Sequence, residues 1–192
     1  MPRRIVFGFG FWLTAAATAM TIASIVLPRW VRWESGGGTS IHYSYGLHQR
    51  CSSITGTCEP FPQYDDCHGD SKSFCAMWRT TGFLMSFAVI IECATLVAYL
   101  TVIFGGKQMR DKGWKVVCFL LGLCILVQCA SMAVVAYLYD NDSRFFIGWR
   151  LDTSWILCTV SWSVQFLTAI GISAAVFVLP EEGGYELIQG DS

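Results

Sequence analysis

Four uninterrupted apolar stretches decide what this chain can fold into: residues 5–27, 82–104, 114–139 and 155–179, of 23, 23, 26 and 25 residues. Each exceeds the roughly 20 residues that an α-helix needs to cross the hydrocarbon core of a bilayer. Together they occupy 97 of 192 residues, and 54% of the chain is hydrophobic against 14% charged. One soluble core of this size cannot hide that much apolar surface. The reading is an all-α integral membrane fold: a four-helix transmembrane bundle, one membrane domain over residues 1–192. The connections are a long first loop over 28–81, a tight loop over 105–113, a second loop over 140–154 and a tail over 180–192. The net charge is −1, so no basic field exists to hold nucleic-acid phosphates, and the lipid bilayer is the first partner.

Arg3 and Arg4 precede the first stretch as they would precede a signal peptide, but the apolar region of a signal peptide runs to only about 15 residues. Trp30 and Trp33, just beyond its end, are aromatic interface anchors, which favours a retained helix. An even number of spans puts both termini on one side. The termini and the tight loop carry five basic residues in 26 (Arg3, Arg4, Lys107, Arg110, Lys112), whereas the other two loops carry seven in 69. The greater density places both termini in the cytoplasm. Cysteine usage agrees, because Cys51, Cys58, Cys67 and Cys75 form an even set in the first loop, as expected for two disulfides in an oxidising compartment. Cys93, Cys118, Cys124, Cys129 and Cys158 lie within the spans and read as small apolar packing residues. Cys118, near the cytoplasmic mouth, is also a candidate for S-palmitoylation.

A loop of 54 residues tied to two helix ends should contain secondary structure. Ile41, Tyr43, Tyr45 and Leu47 alternate with His42, Ser44 and Gly46, the period of a half-buried strand. Gly36, Gly37 and Gly38 supply a turn before it. The stiff, acidic tract from Cys58 to Cys67 is not expected to be helical. The loop therefore reads as a small antiparallel sheet stapled by disulfides. His42, His48 and His68 lie near Asp65 and Asp66, but no Cys-x-x-Cys pair is present and oxidised cysteines are not thiolate ligands, so no metal site is expected.

Trp30, then Gly46-Leu47-x-x-x-Cys51, then Cys58, placed between the first and second of four helices, resembles the Trp…Gly-Leu-Trp…Cys…Cys signature of the claudin and peripheral-myelin-protein superfamily. Arg79, just before the second span, matches that superfamily's arginine at the same boundary. His48 stands where the second Trp belongs, six residues rather than about eight separate Cys51 from Cys58, and Cys67 with Cys75 adds a second pair. These departures place the resemblance among outlying claudin-like proteins, including the fungal group similar to the cortical SUR7 and pH-signalling PalI proteins. The resemblance implies a claudin-like fold with an extracellular sheet. Four cysteines allow three connectivities. Sequence proximity, and the alignment of the first pair with the signature, imply Cys51–Cys58 and Cys67–Cys75.

Glu92 is the one acidic or basic residue deep within a span, and a bare carboxylate at a helix centre is costly. Gln128 and Gln165 lie near the midpoints of the third and fourth spans, so an antiparallel bundle brings all three to one depth. The expectation is a structural polar layer in which a neutral Glu92 is hydrogen-bonded by one amide or both. Ala15, Ala19 and Ala23 of the first span and Gly171 and Ala175 of the fourth form small-residue ridges suited to close helix packing. Phe7, Phe9 and Phe11 read as lipid-facing or core. In the second loop, Asn141-Asp142-Ser143 is a sequon hard against the membrane, and residues 144–149 form an apolar patch that would either anchor at the interface, the preferred reading, or meet another protein. In the acidic tail, Tyr185-Glu-Leu-Ile188 resembles a Tyr-x-x-hydrophobic sorting signal.

No nucleophile, base or metal set suggests an enzyme, and no cofactor is implied. The expected function is that of a plasma-membrane protein organising junction-like or cortical assemblies, or an accessory subunit of a larger complex. Its partners would be other membrane proteins, in homo- or hetero-oligomers. The alternative is an ion-selective channel using Glu92 or Asp65, Asp66 and Asp70.

Overall fold

The computed structural model describes residues 2–35, 41–63, 65–68, 72–105, 107–142, 144–145 and 148–178. Four helices dominate: α1 (Pro2–Val26), α2 (Lys72–Phe104), α3 (Lys107–Asn141) and α4 (Thr153–Val178). Each contains a segment long and apolar enough to cross a membrane, which makes the chain an integral membrane protein. α1 packs on α2 and α4, and α3 packs on the same two helices, closing a four-helix bundle.

Helix bounds and apolar stretches differ where polar residues still favour a helix. α2 begins at Lys72, ten residues before the second stretch, and its extra turns carry Phe74, Cys75 and Trp78 into a core above the bundle. α3 begins at Lys107, so the expected loop over 105–113 is mostly helix. The segment Lys-Gln-Met-Arg-Asp-Lys is polar enough to lower hydropathy yet composed mainly of good helix formers.

On α1 the buried positions are Phe7, Gly10, Thr14, Ala17, Thr18, Thr21 and Ser24, spaced three or four apart. These side chains are mostly small, so neighbouring helices approach closely. A Cβ on Gly10 would lie 3.0 Å from the Tyr99 hydroxyl. Ile5, Phe9, Trp12, Ile22 and Val26 point outward. The ridge of Ala15, Ala19 and Ala23 is not the packed face: Ala19 is exposed and the other two are partly so, because the helical period selects the hydroxyl-bearing face instead. Gly171 is likewise exposed and Ala175 half-buried.

A five-stranded antiparallel sheet covers one end of the bundle in the order β4-β3-β2-β1-β5. Its strands are β1 (Val31–Glu34), β2 (His42–Tyr45), β3 (Gln49–Ser52), β4 (Cys58–Pro60) and β5 (Trp149–Leu151). The sequence indicated only the strand around β2. The partner strands are three or four residues long, too short to show alternation convincingly. β5 comes from the connection after α3, so both connections at this end contribute to one sheet. The tract 58–67, expected to be non-helical, opens with β4 and contains a 3₁₀ turn at Asp65–Cys67. The Gly36–Gly38 turn lies outside the described residues.

Register divides the sheet into two faces. Val31 is opposite Tyr45 and Leu151, and Trp33 is opposite Tyr43 and Trp149, which puts six apolar or aromatic side chains on one face. Val31, Tyr45, Trp149 and Leu151 of this face pack on Phe61, Phe74, Trp78, Met85 and Leu138. Phe145 joins them, its ring 5.6 Å from that of Trp149, 6.1 Å from Phe74 and 6.3 Å from Trp78. The expected interface-anchoring patch is therefore turned inward at Phe145 and Trp149, since burying aromatic area inside the protein satisfies the same hydrophobic demand. Phe146 and Ile147 lie outside the described residues. On the opposite sheet face Glu34 pairs with Arg32 and Arg150, both at 2.5 Å.

Trp30, fully buried, donates its indole N–H to the Ser24 carbonyl (2.7 Å), and its own backbone N–H reaches Tyr45 O (2.8 Å). Gly46 is fixed by two contacts. A Cβ there would lie 2.5 Å from Pro28 Cα, and its carbonyl accepts the Trp78 indole N–H at 3.3 Å. Gly46→Ala should therefore separate the sheet from α1 and cost about 1–3 kcal/mol of stability, read as a lower Tm in detergent. Burial raises the Tyr45 hydroxyl above its ordinary 10.0, with the Arg50 charge opposing that shift. The folded state thus holds this proton more tightly than the unfolded chain. Its contribution is full below that ordinary value and is lost as pH climbs through the raised one. Tyr45→Phe should make alkaline unfolding, followed by tryptophan fluorescence, less steep.

Candidate functional site: a carboxyl and two amides at the bundle centre

Each helix supplies one polar group to the middle of the bundle: Thr21 from α1, Glu92 from α2, Gln128 from α3 and Gln165 from α4. Neighbouring helices run antiparallel, with Glu92, Gln128 and Gln165 near the middle of their apolar stretches and Thr21 five residues before the end of α1. Glu92 is 1% exposed, and Gln128 and Gln165 are 0% exposed. Both amides donate through Nε2 to one carboxyl oxygen, Glu92 Oε1, at 2.7 Å from Gln128 and 2.5 Å from Gln165. The Thr21 hydroxyl reaches the same oxygen at 2.8 Å.

Around this centre, Ser161 Oγ lies 2.8 Å from Thr21 Oγ1 and donates to the Ala17 carbonyl at 2.9 Å. Gln128 Nε2 is also 3.1 Å from Thr21 Oγ1, and Gln165 Nε2 is 3.3 Å from Ser161 Oγ. Three buried oxygens have no hydrogen-bond partner among the described residues: Glu92 Oε2, Gln128 Oε1 and Gln165 Oε1. The Cys124 thiol, beside Glu92 and Gln165, adds a donor to the cluster. Such a site can hold a proton or a cation, and no nucleophile–base pair is apparent in it.

Thr21 and Ser161 completed the cluster without being expected from the sequence. The signal was present in α1, where Thr14, Thr18, Thr21 and Ser24 follow helical spacing, but hydroxyls that can bond their own helix backbone attract little notice in an apolar stretch. Thr18 does so with Thr14 O at 2.9 Å.

The motif residues form a separate group at the sheet end. Trp30 and Leu47 belong to the aromatic core with Phe61, Phe74 and Trp78. Cys51 and Cys58 are directly opposite on β3 and β4 and are disulfide-bonded. Cys67–Cys75 ties the 3₁₀ turn to the first turns of α2. Arg79 is exposed on α2 and outside this core. Arg144 stacks over Phe74 at 4.4 Å and donates to Asp66 O at 3.2 Å. His42 lies in β2 opposite Glu34, and no group of three or more His, Cys, Asp or Glu suited to a metal occurs among the described residues. Asp70, Tyr185 and Ile188 lie outside the described residues.

No protein-family model matches the chain, and neither does any curated protein.

Replacing Glu92 by Leu would take from Gln128 and Gln165 their shortest acceptor and leave them Thr21 Oγ1 at 3.1 Å and Ser161 Oγ at 3.3 Å, while Thr21 can fall back on Ala17 O at 3.1 Å. Glu92→Leu should therefore destabilise the bundle by about 1–3 kcal/mol, measured as a fall in Tm in detergent micelles, with Thr21→Ala clearly milder.

Proposed function

We propose that this chain is a claudin-like, outlying member of the claudin and peripheral-myelin-protein superfamily. Both termini lie in the cytoplasm and the sheet lies outside the plasma membrane. It organises membrane assemblies, or serves as an accessory subunit, through lateral and extracellular protein contacts and without enzymatic chemistry. The observation that carries this reading is the single sheet built from both connections at one end of the bundle, with its apolar face spent on the bundle. Its charged groups are largely paired with one another: Arg32 and Arg150 on Glu34, and Arg50 on Glu59 at 3.1 Å and Asp66 at 3.5 Å. A rigid platform of internally satisfied charges suits display to a partner better than turnover of a substrate. The positions of Trp30, Gly46 and Leu47 where sheet meets bundle, and of the Cys51–Cys58 disulfide across β3 and β4, support the family reading. The channel alternative ranks second because Asp66 is engaged by Arg50 and Glu92 is enclosed by its partners.

Membrane-impermeant reagents applied to intact cells should label a tag inserted after Ile54, on the exposed β3–β4 turn, and leave tags at Met1 or Ser192 unlabelled. Labelling of either terminal tag would reverse the orientation. Native electrophoresis of mild detergent extracts should show the chain in a discrete species larger than a monomer. A monomer that conducts ions in planar bilayers would replace the organising role with the channel.

A further inference from the structure

We propose that the cavity where the sheet meets α2 and the α3–β5 connection is a docking pocket for a carboxylate side chain of an extracellular partner protein. This rests on the protein-contacting role proposed above and names the chemistry that the partner brings. The cavity has a volume of about 260 Å³ and is lined by Tyr45, Phe61, Asp66, Phe74, Arg144 and Phe145. That is below the size of sites for drug-sized molecules and suits a single side chain. Its four rings form a closed circuit of neighbours, with centroids 4.9 Å apart for Tyr45–Phe61, 6.2 Å for Phe61–Phe74, 6.1 Å for Phe74–Phe145 and 6.3 Å for Phe145–Tyr45. The two charges in the lining are unequally matched. Asp66 faces Arg50 at 3.5 Å and accepts the Gln63 backbone N–H at 3.1 Å. Arg144 donates from Nη2 to the Asp66 carbonyl at 3.2 Å, and its Nε lies 4.0 Å from Asp142 Oδ1, which already accepts the Arg144 backbone N–H at 3.0 Å. Arg144 Nη1 and the Tyr45 hydroxyl have no hydrogen-bond partner among the described residues.

These leftovers are donors, and they choose the ligand. A cation is disfavoured, because the Arg144 guanidinium already lies 4.4 Å over the Phe74 ring and would face a like charge. A wholly apolar group would dry Arg144 without pairing it. A carboxylate accepts from Arg144 and from the Tyr45 hydroxyl, while the carbon body that carries it lies against the rings. Asp66 does not stand in the way, since Arg50 offsets its charge. The pocket is open, with Tyr45 and Phe145 half-buried and the Arg144 side chain 33% exposed. Its height selects the source of the carboxylate. Phe74 stands 18 residues before Glu92 on α2, about 27 Å along the helix. Half a bilayer, headgroups included, measures only about 22 Å. The pocket therefore opens beyond the headgroups, within reach of another protein's side chains.

The test uses the full chain in lipid nanodiscs at neutral pH, with phenylacetate as the probe and phenylacetamide and phenethylamine as its neutral and cationic counterparts. Phenylacetate should raise Tm saturably by a few degrees, and the other two should not. Arg144→Gln should weaken phenylacetate binding about tenfold or more, and Arg144→Lys, which keeps the charge but not the planar fork, by less. Equal responses to acid and amide overturn the pocket, as does an acid response that survives in Arg144→Gln. Should the Arg144 variants fail to fold, Tyr45→Phe, which removes only the hydroxyl, should still weaken the acid response, and an unchanged response overturns the pocket. Native electrophoresis tests the source. Saturating phenylacetate, and not phenylacetamide, should dissociate the species larger than a monomer. If phenylacetate binds and that species persists, the partner's carboxylate is overturned in favour of a free small acid. A chain that is monomeric without any additive overturns the organising role and the partner with it, whereas failure to bind phenylacetate overturns the pocket and leaves that role standing.

Discussion

A carboxyl group in the middle of an apolar bundle must have its polar atoms met from within, and that requirement sets the register of the helices. Apolar faces in a membrane slide past one another at little cost, because lipid tails are as good a neighbour as a leucine. The layer of Thr21, Glu92, Gln128 and Gln165 removes that freedom. A shift of any one helix by a single turn, about 5.4 Å, would pull its polar group out of reach of Glu92 Oε1. The apolar clusters on either side then fill in around a fixed layer. Met85, Met132 and Cys158 lie toward the sheet, and Phe7, Tyr99, Val117, Leu121 and Ile172 toward the opposite end.

The sheet end solves a different problem. Connections of this length expose backbone groups and aromatic side chains that neither lipid nor water accommodates alone. β1 and β2 satisfy the backbone, while Trp30, Tyr45, Phe61, Phe74, Trp78 and Phe145 merge into one core that continues into the bundle through Met85 and Leu138. The longer reach of α2 belongs to this arrangement. Its first turns are polar on one side, yet they carry Phe74 and Trp78 to the sheet and hold Cys75 against Cys67.

The sequence shows the four spans plainly because each is long enough for hydropathy alone to mark it. It also brings Glu92, Gln128 and Gln165 together, because equal depth in an antiparallel bundle follows from position within each span. Thr21 and Ser161 stay hidden, since a hydroxyl bonded to its own helix looks the same in sequence whether or not it also faces a carboxyl group. The ridge Ala15, Ala19 and Ala23 misleads for a related reason. Small size permits close packing but does not choose a face, and the face is chosen by the hydroxyls. β1, β3, β4 and β5 are too short for periodicity to reveal, and the pairing of β5 with β1 joins residues more than a hundred positions apart. The inward turn of Phe145 and Trp149 depends on that pairing, so local hydrophobicity gives no hint of it.

The strand order has a mechanical consequence. β1 leaves α1 and β5 leads into α4, and the two strands are neighbours, as are the two helices. The ladder continues below them as Asp152 N–H to Trp30 O at 3.0 Å and Ser154 N–H to Arg29 O at 3.0 Å. Sheet and helix pair thus form one continuous lever on that side. The hairpin of β3 and β4 lies at the other edge, closed upon itself by Cys51–Cys58 and ending in the exposed turn around Ile54. Torque applied near β5 is delivered to α1 and α4, whereas a change of sequence at the hairpin tip stays there. A lineage could therefore rewrite the tip freely without renegotiating the bundle.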